Sequence, residues 1–251
     1  MTTPFHQPPE HLAPIADPAS VDAAIERRVS IRAFLPTPVP RAVLEAILRV
    51  ASRAPSGNNA QPWHVYVLEG ATKDDLARKV LDADNARREH PELETRYRPD
   101  YDYYPRHWVE PYLARRRANG WGLYGLLGIG RTDKDQMRAQ QQRNLCFFDA
   151  PVGLMLTLDR VMGQGSLLDS GMFIQNLMLA ARARGLATCP QAAWNEYSSI
   201  VLPHIGAAAE EYLVCSVALG YPDPAAPVNA FFTPREPLEN FVHWVKQGNA
   251  E

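Results

Sequence analysis

The stretch that most constrains the fold is LLDSGMFIQNLMLAARAR, which runs from Leu167 to Arg184. Its apolar residues fall on nearly every side of a helix, and Ser166 with Asp169 forms a capping-box pattern at its start. Gly185 then supplies a typical helix stop. Since a helix that is apolar all round has to be covered on all sides, we expect this one to be central and buried.

The other segments mix helix and strand signals without a steady β-α-β alternation. Strand patterns cover residues 63–68, 151–159 and 211–220, and helical patterns cover residues 21–28, 41–52, 72–82 and 135–148. In the helix at 72–82, Thr72 is the expected cap. This order predicts an α+β fold, with a mostly antiparallel sheet flanked by helices, rather than a doubly wound parallel sheet.

Composition excludes several classes of protein. The chain has 251 residues, enough for a substantial core, and a formal net charge of −2, which gives no general attraction to nucleic acid or to an anionic membrane. Cys146, Cys189 and Cys215 are odd in number and widely spaced, which fits a reducing compartment. No apolar run reaches the roughly 18 residues that cross a bilayer, and the polar, proline-rich start has no signal-peptide core. We therefore expect a cytoplasmic enzyme.

The familiar motifs of metal, nucleotide and hydrolytic sites do not occur in the sequence. It contains no GxGxxG after a strand, no GxxxxGK[ST], no HExxH and no GxSxG, and its seven histidines are scattered. We predict no metal site. The pattern favours a chain whose chemistry is supplied by a bound cofactor.

The segment ERRVSIRAF carries the clearest candidate for an anion site. In an extended segment Arg28, Ser30 and Arg32 project to one side, because side chains alternate with period two. Two guanidinium groups on either side of a hydroxyl can clamp a phosphate. On spacing alone, a solvated arginine-rich face is an equally good interpretation.

Four segments together resemble the FMN-dependent nitroreductase family. In chain order they are RRVSIRAF, APSGNNAQPWHVYVL, GLATCPQAAWNEY and FFTPREPLENFV, and they span most of the chain. The resemblance implies an α+β domain-swapped homodimer with two FMN molecules at the interface, where the long buried helix also lies. It also implies NADPH or NADH as the electron donor.

The resemblance assigns cofactor contacts residue by residue. Arg28, Ser30 and Arg32 would hold the FMN phosphate and the pyrimidine edge of the flavin. Arg235 matches a C-terminal phosphate arginine, although Thr233 stands where the family often has a lysine. The loop that carries Pro55, Ser56, Gly57 and Asn59 would approach the flavin from the other subunit, and the backbone of Pro190, Gln191 and Ala192 would face flavin N5 and O4. No catalytic side chain is expected.

Residues 97–131 are rich in aromatic side chains and are interpreted in two ways. They form either an aromatic helical hairpin packed on the surface or a lid over the flavin that stacks flat substrates. The lid interpretation gives a substrate pocket of Tyr104, Trp108, Tyr112, Trp121 and Tyr124.

These expectations define the domains and the activity. Residues 1–18 are predicted to be a flexible arm, 19–222 the nitroreductase domain with the insert at about 97–131, and 223–251 an extension that wraps the partner subunit and adds a strand to its sheet. The expected activity is NAD(P)H-dependent reduction of nitroaromatics to nitroso and hydroxylamine products by a ping-pong mechanism. The alternatives are a related flavin reductase for quinones, enones or halogenated aromatics, and a non-catalytic flavin-binding protein.

Overall fold

The computed structural model describes residues 17–245. The predicted N-terminal arm lies almost wholly outside the described residues, and so do residues 246–251 of the predicted C-terminal extension. Within residues 17–245 no helix is both long and apolar enough to cross a membrane.

A four-stranded antiparallel sheet forms the centre of the molecule. Its strands are β1 (Trp63–Glu69), β2 (Val152–Asp159), β3 (Ala187–Gln191) and β4 (Glu211–Gly220), in the order β1-β2-β4-β3. All three strand pairs are antiparallel, which confirms the predicted α+β class. Strands β2 and β4 are central and almost entirely buried, so their sequences are continuously apolar rather than alternating.

Between residues 17 and 245, seven α-helices pack around the sheet. They are α1 (Pro18–Glu26), α2 (Arg41–Ala51), α3 (Gly70–Glu89), α4 (Tyr112–Leu126), α5 (Lys134–Gln142), α6 (Gly165–Arg182) and α7 (Ser198–Ile205). Helices α2 and α6 share one apolar core with β2 and β4, and α3 and α7 share the other core with the segment Arg143–Asp149. The sheet therefore lies between two helical layers.

Helix α6 differs from the predicted helix in two details, its N-terminal cap and its burial. It begins after Gln164, and no side chain caps it, so the predicted capping box of Ser166 and Asp169 is wrong. The carboxylate of Asp169 instead accepts a hydrogen bond from a loop more than 100 residues away. The helix is also open on one side in the single chain, where Leu168 is 70% exposed.

Two other helices end or begin away from their predicted places. Helix α3 starts at Gly70 without a side-chain cap, so Thr72 does not begin it. The helix predicted over residues 135–148 ends at Gln142, because Phe147 and Phe148 adopt left-handed φ angles of 52° and 53° and both rings turn into the core. The burial of two large aromatic side chains outweighs the backbone cost there.

Candidate functional site

A cavity of about 350 Å³ opens where the two ends of the described chain meet. It brings together Arg28, Ser30 and Arg32, whose spacing suggested a phosphate clamp, and Arg235, which the family resemblance assigned to the phosphate. Its volume lies in the range of small-molecule pockets. The other residues that line it come from α1, the following segment, α4 and the C-terminal tail: Ile25, Glu26, Val29, Asn119, Phe231, Phe232 and Thr233.

Backbone and amide hydrogen bonds explain why these distant segments meet. The N–H of Ile31 donates to the carbonyl of Thr188 at 3.1 Å, which fastens the segment after α1 along the outer side of β3. The side chain of Asn229 accepts from the N–H groups of Arg32 and Ala33 at 2.9 and 3.2 Å and donates to the Ala33 carbonyl at 2.8 Å. Asn229 thus holds the tail against the arginine segment, a role that nothing in its sequence context indicated.

The cavity has a net positive lining, with Arg28, Arg32 and Arg235 against the carboxylate of Glu26. Burial lowers the pKa of Arg28, and the positive charge of Arg235 lowers it further, so these two guanidinium groups lie close enough to repel each other. Among residues 17–245, Arg28, Arg32 and Arg235 take part in no salt bridge. Unneutralised arginines beside the hydroxyls of Ser30 and Thr233 form a donor set that suits a phosphate. The residues present therefore fit a phosphorylated cofactor.

Cys189 lies behind this arginine cluster and is inert. Burial raises the pKa of its thiol to about 11, although Arg32, Ser30 and Arg28 act in the opposite direction. The thiol stays protonated near neutral pH, and it is not a nucleophile. Cys189 is therefore a small buried residue of the core.

The end of β3 follows directly, and it carries the predicted backbone contacts. Pro190 is exposed but has no N–H to donate, which leaves Gln191 and Ala192 as the possible donors of this trio. The side chain of Gln191 points into the protein, where its Nε2 donates to the Asn144 carbonyl at 2.7 Å and its Oε1 accepts from the Ser216 hydroxyl at 3.2 Å. The side chain of Gln191 is therefore not available to a ligand, and its backbone is paired with Ser216 in the β3–β4 ladder.

The loop with Pro55, Ser56, Gly57 and Asn59 is mostly exposed and does not line the cavity of its own chain. Three of its non-glycine residues have left-handed φ angles: Asn58 (51°), Asn59 (56°) and Gln61 (50°). Ser56 Oγ accepts from the Gln61 N–H at 2.9 Å, and the Gly57 N–H donates to Asp169 of α6. The loop has a defined and costly shape, which is a feature of binding segments.

The aromatic residues predicted to form a substrate pocket do not form one wall in the single chain. Tyr104 packs on Trp108, with ring centroids 5.7 Å apart, and Trp121 packs on Tyr124 at 6.0 Å. Tyr112, at the start of α4, lies under the guanidinium of Arg115. These pairs cover the outside of the molecule, as expected for an aromatic hairpin, although the stretch contains one α-helix rather than two.

Helix α4 reaches the cavity through residues that the sequence did not single out. Asn119 lines the cavity, and Gly122 lies so close to Phe231 that an added Cβ would be 2.9 Å from the ring. Arg115 pairs with Glu236 at 3.0 Å. The aromatic segment and the C-terminal tail therefore support each other at the mouth of the cavity.

Comparison with known proteins gives consistent results. Residues 25–221 match the model of the nitroreductase family. The 4-nitrobenzoate reductase of Nocardioides sp. (strain LMS-CY) is 39% identical over 223 residues, which cover 88% of each chain.

Two solved structures are similar over nearly their whole length. The FMN and NADPH-dependent nitroreductase NfnB from sphigopyxis sp. strain HMH superposes with a TM-score of 0.83 at 39% identity, covering 90% of this chain and 98% of that one. The FMN-dependent nitroreductase NfnB from Mycobacterium smegmatis, in complex with NADPH, gives a TM-score of 0.83 at 32% identity, with coverage of 91% and 99%.

Proposed function

Because this chain belongs to the nitroreductase family, we propose that it is an FMN-dependent NAD(P)H oxidoreductase that reduces nitroaromatic compounds. The observation that carries the proposal is the cationic cavity, where three arginines without salt-bridge partners among residues 17–245 meet from opposite ends of the chain. The structural relatives named FMN- and NADPH-dependent support FMN as the occupant and NADPH as the donor.

The protein holds the cofactor and leaves the redox chemistry to it. A bound FMN would supply the redox chemistry, hydride transfer from NAD(P)H to the nitroaromatic in a ping-pong sequence. One NAD(P)H and one proton would give the nitroso compound and water, and a second NAD(P)H and proton would give the hydroxylamine. Arg28 and Arg235 hold the phosphate, with the hydroxyl of Ser30 beside them. Arg32, whose guanidinium lies 5.9 Å from the centre of the Phe231 ring, supplies positive charge toward the flavin, and positive charge there favours the reduced and more negative cofactor.

The enzyme works as a homodimer in this proposal. The outer side of β3 is covered by the segment with Ser30 and Ile31, whereas β1 is the other edge of the four-stranded sheet. An uncovered edge strand invites pairing with another chain. The described part of the tail also exposes large apolar side chains, which a partner would cover: Phe232, Leu238, Phe241, Trp244 and Val245.

The dimer completes the cofactor site in the same proposal. The tail from residue 223 onward pairs with the partner's sheet edge. The loop of Pro55, Ser56, Gly57 and Asn59 closes the partner's flavin site, which accounts for its exposure and its defined shape in the single chain. The aromatic segment 97–131, whose ring pairs lie on the outside of the single chain, becomes a lid that stacks the substrate over the flavin only in this dimer.

A nitroaromatic acid is the first substrate to test in this proposal, because one relative is named 4-nitrobenzoate reductase. The proposal keeps NADPH as the first donor to test, since both solved relatives carry it in their names. A cytoplasmic location remains part of the proposal on the composition of the sequence alone.

An anaerobic titration of the purified protein tests the two half-reactions. Addition of NADPH should bleach the flavin absorbance, and 4-nitrobenzoate should then restore it. A colourless protein that does not take up FMN would contradict the cofactor assignment. A flavin that bleaches and is not restored by any nitroaromatic would contradict the substrate class and leave the cofactor assignment standing.

A further inference from the structure

The segment Arg143–Asp149 is built at a conformational cost. Phe147, Phe148 and Asp149 adopt φ angles of 52°, 53° and 63°, in the left-handed region that bulky residues avoid. Such a backbone persists only where the surrounding contacts force it. Here the Phe147 ring stacks on the Trp194 indole, with centroids 4.4 Å apart, and both side chains are completely buried.

The same segment binds the end of β3 and the turn after it through one carbonyl oxygen. The carbonyl of Asn144 accepts from Gln191 Nε2 at 2.7 Å and from Trp194 Nε1 at 3.1 Å. On its other side, Gln191 Oε1 accepts from Ser216 Oγ of β4 at 3.2 Å. The Gln191 amide is therefore clamped from two directions, and the residue is 2% exposed.

Burial of a glutamine here costs more free energy than burial of an apolar side chain would. An apolar side chain of similar volume would avoid the loss of hydration and would need no polar partners. Apolar packing is non-directional, however, whereas two opposed hydrogen bonds fix both the position and the rotation of the side chain. The two hydrogen bonds thus hold the glutamine side chain in one orientation. The backbone that this side chain positions belongs to residues 190–192.

We propose that Gln191 is a positioning residue whose clamped amide, between the Asn144 carbonyl and the Ser216 hydroxyl, fixes the backbone of residues 190–192 against the flavin. This inference rests on the proposed function and on the family resemblance, which implies that the backbone of residues 190–192 faces flavin N5 and O4. Hydrogen-bond donors stabilise a charge that develops during a reaction best when they are already fixed in position before the reaction starts. A displacement of about 1 Å in such a site costs about 10²-fold in rate.

The test compares Gln191→Leu, which removes both hydrogen bonds, with Ser216→Ala, which removes one. Asn195→Leu is the matched control, because Asn195 is a buried amide in the same segment whose Nδ2 bonds to Val214 instead, at 2.9 Å. For each variant, the melting temperature, the FMN dissociation constant, the midpoint potential of the bound flavin and the rate of its anaerobic reduction by NADPH are measured.

Gln191→Leu should keep its FMN dissociation constant within about threefold of the native value, because the arginine cavity holds the phosphate. Its flavin potential should change, and its rate of reduction should fall by about 10- to 100-fold. Ser216→Ala should also reduce the rate of flavin reduction, but by less. If Gln191→Leu does not fold, the rate of Ser216→Ala tests the proposal in its place. Asn195→Leu should lower the melting temperature without changing the potential or the rate.

The inference fails if Gln191→Leu reduces at the native rate with the native potential, or if Asn195→Leu has the same kinetic and potential defect. In both cases the native protein still binds FMN and is reduced by NADPH. Failure of the proposed function would instead appear in the native protein itself, as a lack of FMN binding.

Discussion

The backbone N–H of Gly57 donates to both carboxylate oxygens of Asp169, at 3.3 and 3.4 Å, and joins the loop after α2 to the long helix α6. Asp169 is 8% exposed, and within residues 17–245 this N–H is its only hydrogen-bond donor. A buried carboxylate with so little compensation is costly. Its contact with a loop of left-handed residues holds that loop in one shape, the shape that closes the partner's flavin site in the proposed dimer.

Asp169→Ala should therefore weaken FMN binding by about tenfold, because the loop loses its anchor and one hydrogen bond of about 1–2 kcal/mol. Asp169→Asn keeps an oxygen acceptor for the Gly57 N–H and should bind FMN within about threefold of the native protein. Flavin fluorescence gives both dissociation constants. Equal affinities of the alanine variant and the native protein would show that the loop needs no such anchor.

Asn229 gives a second prediction, since its side chain joins the tail to the arginine segment. Asn229→Ala removes the bonds to Arg32 and Ala33 and should weaken FMN binding by about tenfold, because Arg235 loses its fixed position. Asn240→Ala is the matched control: it also lies in the tail, but its amide bonds only to Glu236. Isothermal titration with FMN measures both variants, and an equal loss in the two would refute a specific role for Asn229.

The glycines of α4 give a test of how the helix meets the tail. Gly125 has open space around its missing Cβ, so Gly125→Ala should stabilise the protein by about 0.5–1 kcal/mol, as alanine does in helices. Gly122→Ala should lack this gain, because its Cβ would come within 2.9 Å of the Phe231 ring and push it from the cavity. Urea unfolding compares the two, and equal gains would mean that α4 does not press on Phe231.

Glu211 predicts a pH dependence of stability. Burial acts to raise the pKa of its carboxyl, but hydrogen bonds from the Thr157 hydroxyl, the Ala208 N–H and the Tyr66 hydroxyl outweigh this, and the pKa lies below its ordinary value of 4.5. A carboxyl whose pKa is depressed by folding stabilises the protein above its unfolded pKa and loses that contribution as the pH falls through the folded pKa.

The free energy of unfolding should therefore decline as the pH drops below about 4.5, the pKa of the Glu211 carboxyl in the unfolded chain. Glu211→Gln should remove part of that decline. The glutamine should also cost about 1–3 kcal/mol at neutral pH, because its NH₂ group would face hydrogen-bond donors. Urea unfolding across pH 3–7 gives both quantities. A variant with the native pH profile would exclude Glu211 as a source of the acid sensitivity.

The sequence predicted those parts of the protein that local patterns determine. Alternation located β1, continuous apolar runs located β2 and β4, and the period-two spacing of Arg28, Ser30 and Arg32 placed three cavity residues on one side. Arg235 was predicted as a cavity residue only from the resemblance to a family. No local sequence pattern connects it to Arg28, Ser30 and Arg32, which lie about 200 positions earlier.

The remaining features depend on contacts between distant segments. The capping-box prediction for Asp169 failed because a remote backbone N–H competes for the same carboxylate. The helix predicted through Phe148 failed because the core gains more from two buried rings than the backbone loses. Asn229 and Gln191 show their roles only when the tail and the sheet are folded, because an isolated amide in a sequence does not reveal its partners.

The arginine cavity is assigned to the cofactor phosphate, and a comparison of FMN with riboflavin tests this assignment most directly. The two ligands share the flavin ring and differ by the phosphate, so the ratio of their dissociation constants isolates the phosphate grip. The native protein should bind FMN at least about 100-fold more tightly than riboflavin, and the double variant Arg28→Ala, Arg235→Ala should lose most of that preference while its riboflavin affinity stays within about threefold. A preference for FMN that survives the loss of both arginines would contradict the assignment of this cavity.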